Sequence, residues 1–478
     1  MVLGTARILV GAKGKKRDFL PMNGQGSRSL GFALQGENIM NSIRRILATV
    51  LLAVPLALAM LLGGGATGVL VTQAYAAEYE VTQWSTGSTG LLERVNNAEA
   101  GDVITISANI QIPAGTTLTI PANKDITLTS TNNSRLTGAS GQSTITIVDT
   151  ATLTLAGNLV ITHTSGQQGR GVTVNSGGTF NIVGGEISGN TVTAHGGGVL
   201  SEGTLNMTDG VIRDNTADRG GGVLVVGSSS LFALSGTGAI SSNTSTGVNG
   251  GGGISVENGA SLEIKGGTIG GDSSDGNVAE RGGGVYCTPG TVVNITGGRI
   301  SGNTAAAWGG GYYGTGQLTL VAGSISNNFA GIGAGGVLNN APGTFIISGG
   351  EVSRNTAPIG GGIAATVPAA NGLTINGGII EGNTATTGDG GAIWIVEPST
   401  NLSTLTIAPG VIFKNNYAAG GSYNLATGAD TLMYNTKIGT LGAGVIWTTP
   451  FTQGYNNHDI SYVVGAPRTD LRTVIFNE

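Results

Sequence analysis

Side chains able to do chemistry are sparse here, and their spacing limits what they can do. Hydrolysis of a glycosidic bond needs two facing carboxylates, and a bound Ca²⁺ needs several oxygens around one point. Glu186, Glu351 and Glu381 recur in similar phrases, yet Val211, Ala239, Thr268, Arg299 and Ser324 stand at that place in the intervening ones. Arg354 and Glu381 read as neighbours in successive units, and a surface ion pair accounts for them. Asp272 and Asp275 lie in an insert, Gly271 to Gly276, that could offer oxygens to Ca²⁺. The insert lacks the alternating Asp spacing and the distal Glu of a calcium loop. His163, His195 and His458 share no motif, and none stands beside a plausible Ser or Cys nucleophile. None of the glycine runs leads into Lys-Ser or Lys-Thr and a helix, which removes a phosphate loop. The expectation is no catalytic, cofactor-binding or metal residue.

A different kind of site emerges once the repeat is laid out. Gly184-Gly185-Glu186-Ile187-Ser188-Gly189-Asn190-Thr191, followed by Gly196-Gly197-Gly198-Val199, returns in variants along the chain. Its Asn recurs at Asn190, Asn215, Asn243, Asn277, Asn303, Asn327, Asn355, Asn383 and Asn415, at intervals of 24 to 34 residues. Self-similarity at that period marks a solenoid. Each unit opens with an alternating strand such as Thr204-Leu205-Asn206-Met207, turns at a glycine pair, and continues into a second strand closed by the Asn. Thr-Ala-type residues and the glycine run form the next bend. A third strand then starts at Val199, Val223, Ile254, Val285, Tyr312, Val337, Ile363 or Ile393.

Three short strands and three bends make one coil of an all-β, right-handed parallel β-helix, here a solenoid of roughly a dozen three-strand coils. Glycine at the bends supplies positive φ and lets coils approach. Asn tolerates the left-handed region, and its amide can bond the Asn of the next coil, so the column reads as a structural ladder.

Strand alternation turns the residue after each inward Val or Ile outward. That column reads Leu200, Leu224, Ser255, Tyr286, Tyr313, Leu338, Ala364 and Trp394. Aromatic rings at one-coil spacing could stack on sugars or meet a protein partner. The competing account is that they stack on each other or lie under a loop.

The chain has 478 residues with 87 Gly, 12 Pro and 10% charged side chains. Collagen is excluded because no G-X-Y phase exists, and a flexible linker because β-branched runs such as Leu373-Thr374-Ile375 recur. Met40 to Arg45, the apolar residues 46–62 and Ala74-Tyr75-Ala76 lay out a secretory signal peptide. An uncleaved anchor is the alternative. The first 76 residues carry eight basic and two acidic side chains, a net of +6, so a whole-chain charge of −5 leaves −11 beyond them. An acidic, exported chain is a poor partner for nucleic acid. Cys287 is the single cysteine, at a place held elsewhere by Val225, Val256 or Ile395, so no intramolecular disulfide forms and the thiol packs as a small hydrophobe.

The expected divisions are a non-native or misassigned leader at 1–39, a signal peptide at 40–76, and an N-terminal cap with the first coils at 77–160. Regular repeats follow at 161–425, then a C-terminal cap and the start of a further module at 426–478. Leu91, Leu92, Val95 and Ala98 predict a short capping helix ahead of the strands. Trp447, Phe451, Tyr455 and Tyr462 belong to the C-terminal cap.

The units GGEISGNT…GGGV, GGRISGNT…GGGY and GGEVSRNT…GGGI resemble bacterial right-handed parallel β-helix surface proteins and the GGA-I/FxxN repeats of polymorphic outer-membrane adhesins. The final residues 472–478 resemble the opening strand of small modules that follow such rods in Gram-positive surface proteins. The resemblance implies a monomeric, non-catalytic adhesin or stalk at the cell surface or wall. Its partners would be glycans or proteins of a host or the environment, with no membrane contact after signal cleavage. Pectate-lyase-like enzymes share the fold, so a polysaccharide lyase or hydrolase is the alternative.

Overall fold

The computed structural model describes residues 76–461 except 85–86, 88, 273, 367–371, 397–404, 422–439 and 450–455. The chain divides at Gln73 and Ala74, and every described residue lies in the second unit, Ala74–Glu478. The proposed leader and most of the signal peptide fall outside the described residues, as do Phe451, Tyr455, Tyr462 and residues 472–478. Among the described residues no helix is long and apolar enough to cross a membrane.

The second unit is a parallel β-solenoid. Among the described residues its strands form parallel sheets of 22, 11 and 8 strands. The eleven-stranded sheet takes one strand per turn, from Leu118–Ile120 to Ile393–Val396, so the solenoid has about 11 turns. Alternation along each strand sends Ile, Leu, Val and Phe to one continuous core, with Phe180, Phe232, Phe345 and Phe413 among the largest fully buried side chains. Thr and Asn occupy the opposite face of the same strands, as at Thr179 and Asn181.

Two features differ from the three-strand scheme. The first and second strands of each turn belong to one sheet. In Thr179–Ser188, Thr204–Arg213, Val292–Ser301 and Gln317–Ser326 they run together as ten residues. Register shifts sit at the glycine pair, where Gly185 has φ 77°, so the pair makes a bulge in a continuous strand. The Thr-Ala segments, read as bend, are strands themselves, from Thr216–Ala217 to Tyr417–Ala418. Their inward Ala side chains are buried, and Ala305, Ala330 and Ala357 form a separate small cluster. Most of these strands are two residues long, which offers too few alternations to declare a strand, whereas Val278–Arg281 and Thr304–Trp308 run longer.

At the N-terminal side, Glu78–Val81 pairs in parallel with Asp102–Ile106, and the helix Leu91–Asn97 lies between them in sequence. The helix is therefore an insertion within the first turn rather than a segment ahead of it. Leu91 and Val95 are buried in the main core.

The asparagine ladder runs through Asn190, Asn215, Asn243, Asn277, Asn303, Asn328, Asn355, Asn383 and Asn416. Each Nδ2 donates to the next Oδ1 at 2.9–3.1 Å. The backbone N–H of the same residue donates to that oxygen as well. Asn327 and Asn415 are thus not ladder residues, which corrects the sequence reading. They hold the preceding position, at φ 56° and 54°, where other turns place Gly189, Asp214, Ser242, Gly302, Arg354 and Gly382, also at positive φ. The left-handed residue and the hydrogen-bonding residue are adjacent, and an Asn-Asn dipeptide satisfies both preferences in either register.

The ladder is polarised. All its oxygens face the N-terminal end, where His163 Nδ1 lies 2.8 Å from Asn190 Oδ1. One N–H of each amide faces the other end, while the second donates back to an Ile or Val carbonyl of the preceding turn. At the far end Asn416 Nδ2 donates to buried Asp459 at 3.1 Å. That carboxylate also accepts from Thr448 N, Thr448 Oγ1 and Asn456 Nδ2 at 2.6–2.9 Å. An anion at the donor end of an aligned amide column has the favourable sign.

Cys287 is buried in the core beside Tyr312, and burial pushes its thiol up to about 12. Native protein is expected to resist a thiol-specific reagent at pH 8 and to react stoichiometrically in denaturant. Rapid labelling of the folded chain would contradict this packing.

Candidate functional site

The third-strand column is in register from turn to turn: Leu200 neighbours Leu224, then come Ser255, Tyr286, Tyr313, Leu338, Ala364 and Trp394. It does not form an open face. Leu224, Ser255, Tyr313, Leu338 and Ala364 are buried, while Leu200, Tyr286 and Trp394 are half-buried.

The cover is the chain just before each glycine run. His195 pairs with Arg219, Arg281 with Trp308, and Trp308 with Gly333, which pairs on with Ile359. The first glycine of most runs has positive φ, as at Gly196, Gly220, Gly282, Gly309, Gly360 and Gly390, and folds this segment back over the third strand. A Cβ on Gly309 would lie 2.9 Å from Tyr313 Cβ, and one on Gly360 would lie 3.0 Å from Trp394 Cβ. Glycine is needed here for close approach as well as for φ.

What results is a trough whose chemistry changes along the solenoid axis. In the earlier turns it is charged: Arg219 reaches Glu257 at 3.2 Å, and His195 Nδ1 lies 3.4 Å from Asp218. Arg170 donates to the His195 carbonyl at 2.8 Å. In the later turns it is aromatic. Tyr286 and Tyr313 stack with centroids 5.3 Å apart and planes within 6°. Trp308 and Trp394 stack at 6.1 Å and 25°. The Arg281 guanidinium lies 5.5 Å from the Tyr313 ring centre. Burial, then the neighbouring Tyr313 and Glu257, raise the Tyr286 hydroxyl above its ordinary value, so the ring stays neutral.

Trp308 is absent from the sequence-derived column because it sits in a segment read as bend. Gly333 lies beside it one turn on, where a Cβ would come within 2.4 Å of the indole. The glycine opens the space into which the ring extends. An aromatic directly before a glycine run was the available signal.

The remaining candidates stay apart. Glu351 pairs in register with Ile379, whereas Glu381 pairs with Ser353, so the three glutamates do not share one column. Glu381 makes its ion pair with Lys414 at 3.2 Å, and Arg354 meets it only through backbone, N–H to carbonyl at 2.9 Å. Glu186 pairs with Arg213 at 2.9 Å. His163 ends the ladder, His195 faces Asp218, and His458 Nδ1 accepts from Ala418 N at 3.1 Å. Among the described residues no three His, Cys, Asp or Glu side chains converge as a metal site would require, and Asp272 and Asp275 are joined by a backbone turn. The chain matches no known protein family, no curated protein and no solved structure.

Proposed function

We propose that this chain is an exported, surface-displayed bacterial β-solenoid that binds glycan, or a protein surface, through the aromatic part of the trough, without a catalytic centre of its own. The observation that carries this reading is the alignment of Tyr286, Tyr313, Trp308 and Trp394 along one shallow trough, with Tyr286, Trp308 and Trp394 half open to solvent. Rings held by stacking face to face on one another offer a rigid surface at little further entropic cost. The N-terminal sequence of basic, apolar and small residues supports export. Glu186, Glu351 and Glu381 do not share one column, and Glu186 is paired with Arg213 and Glu381 with Lys414. This supports binding over hydrolysis, since acid–base cleavage needs a facing pair.

Trp308→Ala with Trp394→Ala is expected to lower affinity for a bound glycan by at least about tenfold. Glycan-array screening followed by calorimetry would measure it, with circular dichroism to verify the fold. Unchanged affinity in the folded double variant would remove the trough as the binding surface. Release of reducing ends or unsaturated products from acidic polysaccharides would replace this reading with the enzymatic one.

A further inference from the structure

A second feature lies on the large sheet, in earlier turns than the aromatic rings. At the glycine-pair bulge, four successive turns form an open cleft of about 440 Å³. Gly157, Gly184, Gly185 and Gly210 leave its middle free of side chains. Stacking compels those glycines: a Cβ on Gly184 would meet Gly157 backbone at 3.0 Å, and one on Gly210 the Gly184 and Gly185 carbonyls at 2.8 Å. The side chains around the cleft are Asn133, Arg135, Asn158, Glu186, Asp209 and Arg213, with Val160 the one apolar exception.

The charges are not equivalent. Arg213 is engaged by Glu186 at 2.9 Å and by Asp214. Glu186 also accepts from Ser188 Oγ at 2.5 Å, and Asp209 from Thr237 Oγ1 at 2.8 Å. Arg135 is exposed and donates to Thr162 Oγ1 at 3.3 Å, and among the described residues no carboxylate lies within ion-pair distance of it. The cleft therefore offers one guanidinium without a carboxylate partner, with two exposed amides and two hydrogen-bonded carboxylates beyond it.

We infer that this cleft is a binding site for a short oligosaccharide carrying one anionic substituent, which sits on Arg135 while its hydroxyls meet Asn133, Asn158, Asp209 and Glu186. Four turns at strand spacing extend over about 15 Å, the reach of a few linked sugar rings. A drug-like apolar ligand is disfavoured because such sites are lined by hydrophobic and aromatic groups. A peptide is disfavoured because these strands are paired on both sides and present no edge to extend. Carboxylates already oriented by their neighbours, with exposed amides beside them, suit a polyhydroxylated chain, and a planar guanidinium suits a carboxylate or sulfate. This site and the aromatic trough stand or fall separately, since they share no residue.

The test uses the full chain and calorimetric titration with four probes: a uronate-containing oligosaccharide, its carboxyl-reduced form, a sulfated oligosaccharide, and its desulfated form. At least one anionic probe is expected to bind about tenfold more tightly than its neutral counterpart. The pair that shows the difference identifies the anionic group. Arg135→Gln, at an exposed side chain with one hydrogen bond, is expected to erase that difference. Arg299→Gln, at an exposed arginine of the same sheet outside the cleft with one hydrogen bond to Thr268 Oγ1, is expected to leave it intact. Equal binding of both members of each pair, absence of binding by all four, or a preference that survives Arg135→Gln would each overturn the inference.

Discussion

Asn328→Ala is expected to lower unfolding stability by about 3–5 kcal/mol, whereas Asn327→Gly, one residue earlier, is expected to change it by less than about 0.5 kcal/mol. Asn328 is 1% exposed. Its Nδ2 donates to Ile300 O and Asn355 Oδ1, and its Oδ1 accepts both the backbone N–H and the Nδ2 of Asn303, all at 3.0 Å. Truncation strands two donors on Asn303, the Ile300 carbonyl and one bond to Asn355. Each buried group left without a partner costs about 1–3 kcal/mol. Asn327 is exposed and contributes mainly a backbone at φ 56°, a conformation glycine adopts freely. Its N–H bond to Ser353 O survives the change. Urea midpoints for the two variants decide between registers. Comparable losses at both positions, or a larger loss at Asn327, would mean the ladder is placed wrongly.

Gly284→Ala is expected to cost about 3 kcal/mol or more, and to open the neighbouring turns to proteolysis. Gly284 is the last glycine of its run, and its φ does not require glycine. The requirement comes from the next turn. A Cβ there would stand 2.6 Å from Gly311 O, 2.7 Å from Ile300 Cγ2 and 3.0 Å from the ladder amide of Asn303. Gly198, Gly222, Gly253 and Gly311 meet a carbonyl or ladder amide in the same way. The glycine run and the Asn are therefore one device: the amide column can pack tightly because the strand beside it begins without a side chain. Gly115→Ala is the control, with positive φ but open space around its Cβ, and should cost only about 1–2 kcal/mol. If the two substitutions cost the same in equilibrium unfolding, packing against the next turn is not what fixes Gly284.

Much of the architecture was legible because it is written locally. Alternation in Thr204-Leu205-Asn206-Met207 states which side chains enter the core, and the returning Asn and glycine runs state where each turn bends. The two-residue strands were illegible for the opposite reason: Thr216–Ala217 has no periodicity to read, and only its neighbours in adjacent turns make it a strand. The ends of the ladder were hidden too. His163 belongs to an earlier, irregular turn, and Asp459 arrives 43 residues after Asn416, outside any repeat.

The sequence by itself determined a parallel β-solenoid and the inward or outward sense of most strand positions, because a period of two and recurrent glycine and asparagine are properties of short stretches. Tertiary structure decided the rest. It chose Asn328 over Asn327, since only one register lets N–H and Nδ2 reach the oxygen of the next turn. It covered Tyr313 and Leu338 while leaving Tyr286 and Trp394 half open, since the covering chain is set by the fold-back at each first glycine. It also assembled the cleft around Arg135 from four turns, a neighbourhood that no single repeat contains.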